Sequence, residues 1–145
     1  FAEGWAVLCE RQMFDLGFDD QDHDGGAAGQ LVHRKMSLRA PINALLDARL
    51  HTGSGTDEQE DRWALDLMQR LGFQEEAEAV RKLRRAKVTA TQLSTYFVGF
   101  LELGDLMEEY RRLKGPSFSL KEFNERLLSY GTIPPRAVRR LMLAL

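Results

Sequence analysis

Four polar side chains, Arg39, Asn43, Asp47 and His51, follow one another at intervals of four in a stretch that is otherwise apolar apart from Arg49. On a helix that spacing sets them along one side, drifting slowly around the axis, with Asp47 and His51 within reach of each other. A carboxylate that holds an imidazole fixes its tautomer and raises its basicity, which serves both catalysis and metal binding. The same spacing also describes a solvated face laced with i,i+4 pairs, and spacing alone favours that plainer reading.

Other residues invite the same weighing. Glu3 and Glu10 lie seven apart, on nearly the same face of a helix. Glu3 is followed at once by Gly4 and Trp5, an odd choice for a wet face, because Gly costs roughly 1 kcal/mol in a helix interior. Gly is tolerable there if another backbone or a ligand comes close. Tyr96, in Gln92-x-x-x-Tyr96-x-x-Gly99, is either a core Tyr with a satisfied hydroxyl or an oxyanion donor facing a cleft. Asp20-x-Asp22-x-Asp24-Gly25 reproduces the first half of an EF-hand loop, but position twelve is Leu31 and position nine is Ala28. A flexible acidic loop is the preferred reading. Cys9 sits in an apolar pattern and is expected to be a small core residue. His23 and His33 are expected on the surface, and the basic run 81–87 at a solvated helix end.

These residues need helices to position them, and helical period runs almost throughout. The first helix spans 2–17, with Gly17 as a left-handed cap. A loop at 19–26 precedes a long helix over 27–51, which Pro41 should kink or interrupt. Thr56-x-x-Gln59 has the form of a capping box, opening a helix closed by Gly72. A charged helix follows. Thr89-x-x-Gln92 is a second candidate box, before a long apolar helix that Gly115-Pro116 stops. Ser119-x-x-Glu122 is a third, with Phe118 and Phe123 placed as a hydrophobic staple, in a helix ending at Gly131. Pro134 and Pro135 suit the first turn of a last helix running to Leu145. The expectation is an all-α, irregular bundle of about seven helices in a single domain over 1–145.

The 145 residues are 43% hydrophobic and 29% charged, with formal net charge −2. Near-neutral charge argues against nucleic acid as a partner. No apolar run approaches the roughly 18 residues of a membrane span. A soluble protein is expected, with the cytoplasm as the preferred setting. Cys9 is the lone cysteine, which excludes an internal disulfide. The opening Phe1-Ala2-Glu3-Gly4 has no helix start signal, and the expectation is that the chain begins inside a helix of something longer.

The order Glu3-Gly4-Trp5-Ala6, Asp47 to His51, Gln92 to Gly99, Phe118 to Phe123 and Leu128 to Pro134 resembles the C-terminal half of a large bacterial family. That family is catalogued as a domain of unknown function and is similar to zinc-dependent peptidases of the gluzincin type. The resemblance covers essentially the whole chain and implies the C-terminal part of a larger zincin-like helical fold. It implies an upstream helix carrying H-E-x-x-H, with Glu3 as third protein ligand to zinc. By analogy, the catalytic candidates are His51 or Tyr96, stabilising an oxyanion, with Asp47 orienting His51. The sequence departs from the family pattern at Leu8 (usually Tyr), Arg49 (usually Gly), Gly53-Ser54-Gly55 (in place of Trp) and Phe123-Asn124-Glu125 (usually F-H-D).

The implied function is therefore the C-terminal helical portion of a zinc peptidase, supplying one metal ligand and a wall of the cleft for a peptide substrate. The chain contains no H-E-x-x-H, so by itself it is expected to bind no catalytic zinc and to be inactive. Self-association through a face exposed by truncation is expected. The alternative is a non-catalytic helical scaffold or peptide-binding module.

Overall fold

The computed structural model describes residues 1–18 and 26–143. Eight α-helices follow in chain order: α1 Ala2–Asp15, α2 Ala27–Ser37, α3 Arg39–Thr52, α4 Asp57–Asp66, α5 Glu76–Val88, α6 Ser94–Lys114, α7 Leu120–Ser129 and α8 Pro135–Leu143. No strand occurs among the described residues. The expected all-α bundle is observed. The helix count rises from seven to eight because the long helix over 27–51 is split at Leu38 into α2 and α3. Pro41 explains the split: its ring excludes a helical bond back to Ser37, and its missing N–H falls in the first turn of α3, where amides lack partners anyway. The acidic loop, with Asp20, Asp22, His23 and Asp24, lies outside the described residues.

Local signals form most of the helix ends. Thr56 and Gln59 close a full capping box on α4, with the Gln59 amide donating to Thr56 Oγ1 and the Thr56 amide to Gln59 Oε1. Gly17 is left-handed, and the Phe18 and Gly17 amides bond back to Met13 and Phe14, a Schellman ending for α1. Gly131 is left-handed after α7, and Pro135 opens α8. Ser119 accepts from the Glu122 amide. Glu122 does not reach back, however, because its carboxylate accepts the Tyr110 hydroxyl at 2.8 Å and pairs with Lys114. Phe118 and Phe123 both pack on the Tyr110 ring.

One expected boundary is kept with a different geometry and one expected cap is corrected. Gly72 closes its helix as expected, at the end of a π turn, Leu67–Leu71, while Phe73 takes the positive φ. Gly72 is required for space, since a Cβ there would lie 2.6 Å from the Met68 carbonyl oxygen. Thr89 and Gln92, by contrast, form no capping box: the Thr89 hydroxyl donates to the Arg85 carbonyl, and Gln92 accepts from the Arg85 guanidinium. The cap of α6 comes from another helix.

The core has two parts joined by α6. Leu8, Leu103, Leu106, Tyr110, Phe123, Leu127, Val138 and Met142 pack between α1, α6, α7 and α8. Ile42, Leu46, Ala64, Met68, Ala79 and Leu83 pack between α3, α4 and α5. At 21 residues α6 is about 30 Å long, enough to serve both. By contrast α2 buries no residue.

Candidate functional site

The polar ladder of α3 is not a solvated face. It is the seam that joins α3 to α5 and α6. Arg39 pairs with Glu78 at 2.9 Å, Asn43 Oδ1 accepts from Lys82 Nζ at 3.3 Å, and His51 Nε2 lies 2.9 Å from the Ala86 carbonyl oxygen. Glu78 and Lys82 repeat the spacing of Arg39 and Asn43, so the two helices run parallel there, while His51 meets the Ala86 backbone out of that register.

Asp47 is the buried rung, 3% exposed. Its Oδ2 accepts the Ser94 amide at 2.9 Å and the Ser94 hydroxyl at 2.7 Å, and its Oδ1 accepts the Thr91 amide at 2.8 Å. It thereby caps α6 from outside, where the positive end of the helix dipole favours a carboxylate. Thr91 adopts a φ of +67°, which turns its amide toward Asp47. Burial pushes the Asp47 pKa up, but the Ser94 and Thr91 hydrogen bonds and the nearby His51 outweigh it and hold the carboxyl below its ordinary value. His51 Nε2 sits 3.6 Å from Asp47 Oδ1, so its closer partner is the Ala86 carbonyl.

Tyr96 stands two residues into α6, just past this cap. With Asn43 and Arg39 it borders two adjoining clefts. One, about 320 Å³, runs between α1, α3 and α6 and is also lined by Val7, Glu10, Pro41, Phe97 and Phe100. Glu3 shares the α1 face of Val7 and Glu10, one turn earlier. It is partly buried and meets no hydrogen-bond or ion-pair partner among the described residues. Beside it, Gly4 crosses Gly99 at backbone contact, which explains the glycine in both motifs.

Elsewhere the expectations are adjusted. Cys9 is only partly buried, and burial, followed by Glu10, raises its pKa, which suits a packing role. His33 is not a free surface residue: its ring stacks on Phe14 at 4.0 Å. Asn124, at the family's His position, makes a reciprocal amide pair with Gln12, at 2.8 and 3.3 Å. Leu8, where the family has Tyr, is 2% exposed in the core.

No three His, Cys, Asp or Glu side chains among the described residues are placed to hold a metal. A catalytic zinc takes three ligands from the protein. No described helix is long and apolar enough to cross a membrane.

The chain belongs to the family described as bacterial protein of unknown function (DUF885), whose profile matches residues 1–142. A solved structure from Shewanella oneidensis, described as "a putative lipoprotein of unknown function", is similar over 97% of this chain at 39% identity, with a TM-score of 0.83. This chain spans 24% of that chain's length. No curated protein matches.

Proposed function

We propose that this member of the family is the helical portion of a zinc-dependent peptidase, contributing Glu3 as one metal ligand and α1, α3 and α6 as a wall of the substrate cleft. The observation that carries this reading is the setting of Glu3. It is a partly buried carboxylate without a partner among the described residues, and the Gly4–Gly99 contact fixes α1 to α6 one turn before Val7, which lines the cleft that Tyr96 borders. Zinc, where bound, supplies a Lewis acid and an activated water. The remaining ligands belong to segments outside this chain.

Within the chain, Tyr96 is the better oxyanion donor of the two candidates. Its hydroxyl has no partner among the described residues, whereas His51 Nε2 is engaged with the Ala86 carbonyl. Asp47 acts as a positioning residue: by capping α6 it fixes the turn on which Tyr96 stands. The relative's description as a lipoprotein sets lipid attachment at a bacterial membrane beside the cytoplasmic setting.

The test is metal content and peptide hydrolysis in a protein of the relative's length that carries this chain, with and without Glu3→Ala. Stoichiometric zinc and activity, both lost in the variant, support the proposal. Neither in the unaltered protein overturns it in favour of a helical scaffold.

A further inference from the structure

The second cleft that Tyr96 borders, about 410 Å³, is the more basic of the two. Arg39, Arg81, Lys82 and Arg85 line it, with Glu78 as the one carboxylate, and Glu78 is already paired with Arg39. The donors there are incompletely used. Lys82 Nζ reaches only the neutral Asn43 amide oxygen, and Arg39 Nε is buried without an acceptor. Arg81 has no partner among the described residues. Burial first, and then the neighbouring Arg39 and Arg85 charges, lower the Lys82 pKa against the opposing pull of Glu78. Arg39, Asn43 and Tyr96 border both clefts, so the two adjoin. The first has an apolar wall of Val7, Pro41, Phe97 and Phe100, beside the polar Glu10, Arg11 and His33. The other is a cluster of guanidinium and ammonium donors, suited to a carboxylate.

We propose that these adjoining clefts together bind the C-terminal end of a peptide, with an apolar side chain against the wall of Val7, Phe97 and Phe100 and the free α-carboxylate against Arg81 and Lys82. Tyr96, at the junction, is placed to donate to the intervening amide carbonyl. A phosphate group alone would leave the apolar wall uncovered, whereas a terminal residue with an apolar side chain engages both clefts. Identifying the occupant as a peptide rests on the peptidase reading; the two-part chemistry rests on the cleft itself.

The test is titration of the metal-free 145-residue chain with N-acetyl-phenylalanine, N-acetyl-phenylalaninamide and N-acetylglycine, followed by amide chemical shifts. The acid is expected to bind, with the amide and the glycine compound each weaker by about tenfold or more. Arg81→Gln and Lys82→Gln should each weaken the acid several-fold. Arg81→Gln removes no hydrogen bond or ion pair among the described residues and should leave the melting temperature unchanged. Equal binding of acid and amide, no binding of the acid by the folded chain, or displacement of the acid by equimolar inorganic phosphate would overturn the proposal. Because no metal is present, acid-selective binding survives even if the longer protein proves to lack zinc, and zinc-dependent activity can persist if this cleft fails the test.

Discussion

Gly4 and Gly99 meet backbone to backbone where α1 crosses α6, so closely that a Cβ on Gly4 would lie 2.2 Å from the Gly99 carbonyl carbon. A Cβ on Gly99 would lie 2.9 Å from the Gly4 Cα. Both helices must part to admit either methyl group. Gly4→Ala is therefore expected to destabilise by about 1–3 kcal/mol despite the better helix propensity of Ala, and Gly99→Ala by less. Urea denaturation measures both, and a stabilised Gly4→Ala would refute the crossing.

Asp47 should be the most sensitive polar residue. Asp47→Ala strands two amides and a hydroxyl at the start of α6, at a cost of about 2–4 kcal/mol. Asp47→Asn keeps an acceptor and should cost less. The folded carboxyl titrates below its unfolded value. Its contribution is thus complete above about pH 4 and is lost as the pH falls through the lower folded value. Stability of the unaltered chain should fall more steeply below pH 4 than that of Asp47→Asn, and parallel acid-melting curves would contradict this.

Tyr96 and His51 should separate stability from activity. Tyr96→Phe removes a hydroxyl without a partner among the described residues and should shift stability by no more than about 0.5 kcal/mol. If the peptidase reading holds, it should lower kcat in the zinc-loaded longer protein by about 10²–10³. His51→Ala should show the reverse emphasis, because the bond to Ala86 is a joint between helices. Equal kcat losses in the two variants would reject this division.

Gln12 and Asn124 tie α1 to α7 by a reciprocal amide pair. Gln12→Leu or Asn124→Leu alone leaves one amide unpaired, at about 1–3 kcal/mol. The double variant should cost clearly less than the two added together. Simple additivity in a denaturation cycle would show that the pair contributes nothing.

Met13, Phe18, Val32 and Met36 line an apolar opening between α1 and α2, and Val32 is 59% exposed. The chain should self-associate through this face as its concentration rises. Val32→Glu should return it to monomer in sedimentation velocity, and an unaltered chain monomeric at high concentration would refute the expectation.

What the sequence determined by itself was local. The Thr56–Gln59 box, the Gly17 and Gly131 endings, the Pro135 start and the helical period each depend on residues within a few positions, where backbone geometry leaves little choice. The interruption near Pro41 was legible for the same reason, although it falls at Leu38. The ladder of α3 was legible as a spacing, but not its partner, because a side of a helix does not say what it faces. Asp47 reaches residues 44 and 47 positions away, Gly4 meets Gly99, and Gln12 meets Asn124 across 112 positions. Thr89 and Gln92 offered the right letters for a cap, yet a carboxylate from α3 took the role. A charged acceptor brought to the helix end by packing outcompetes a neutral local one, and only the tertiary structure brings it there.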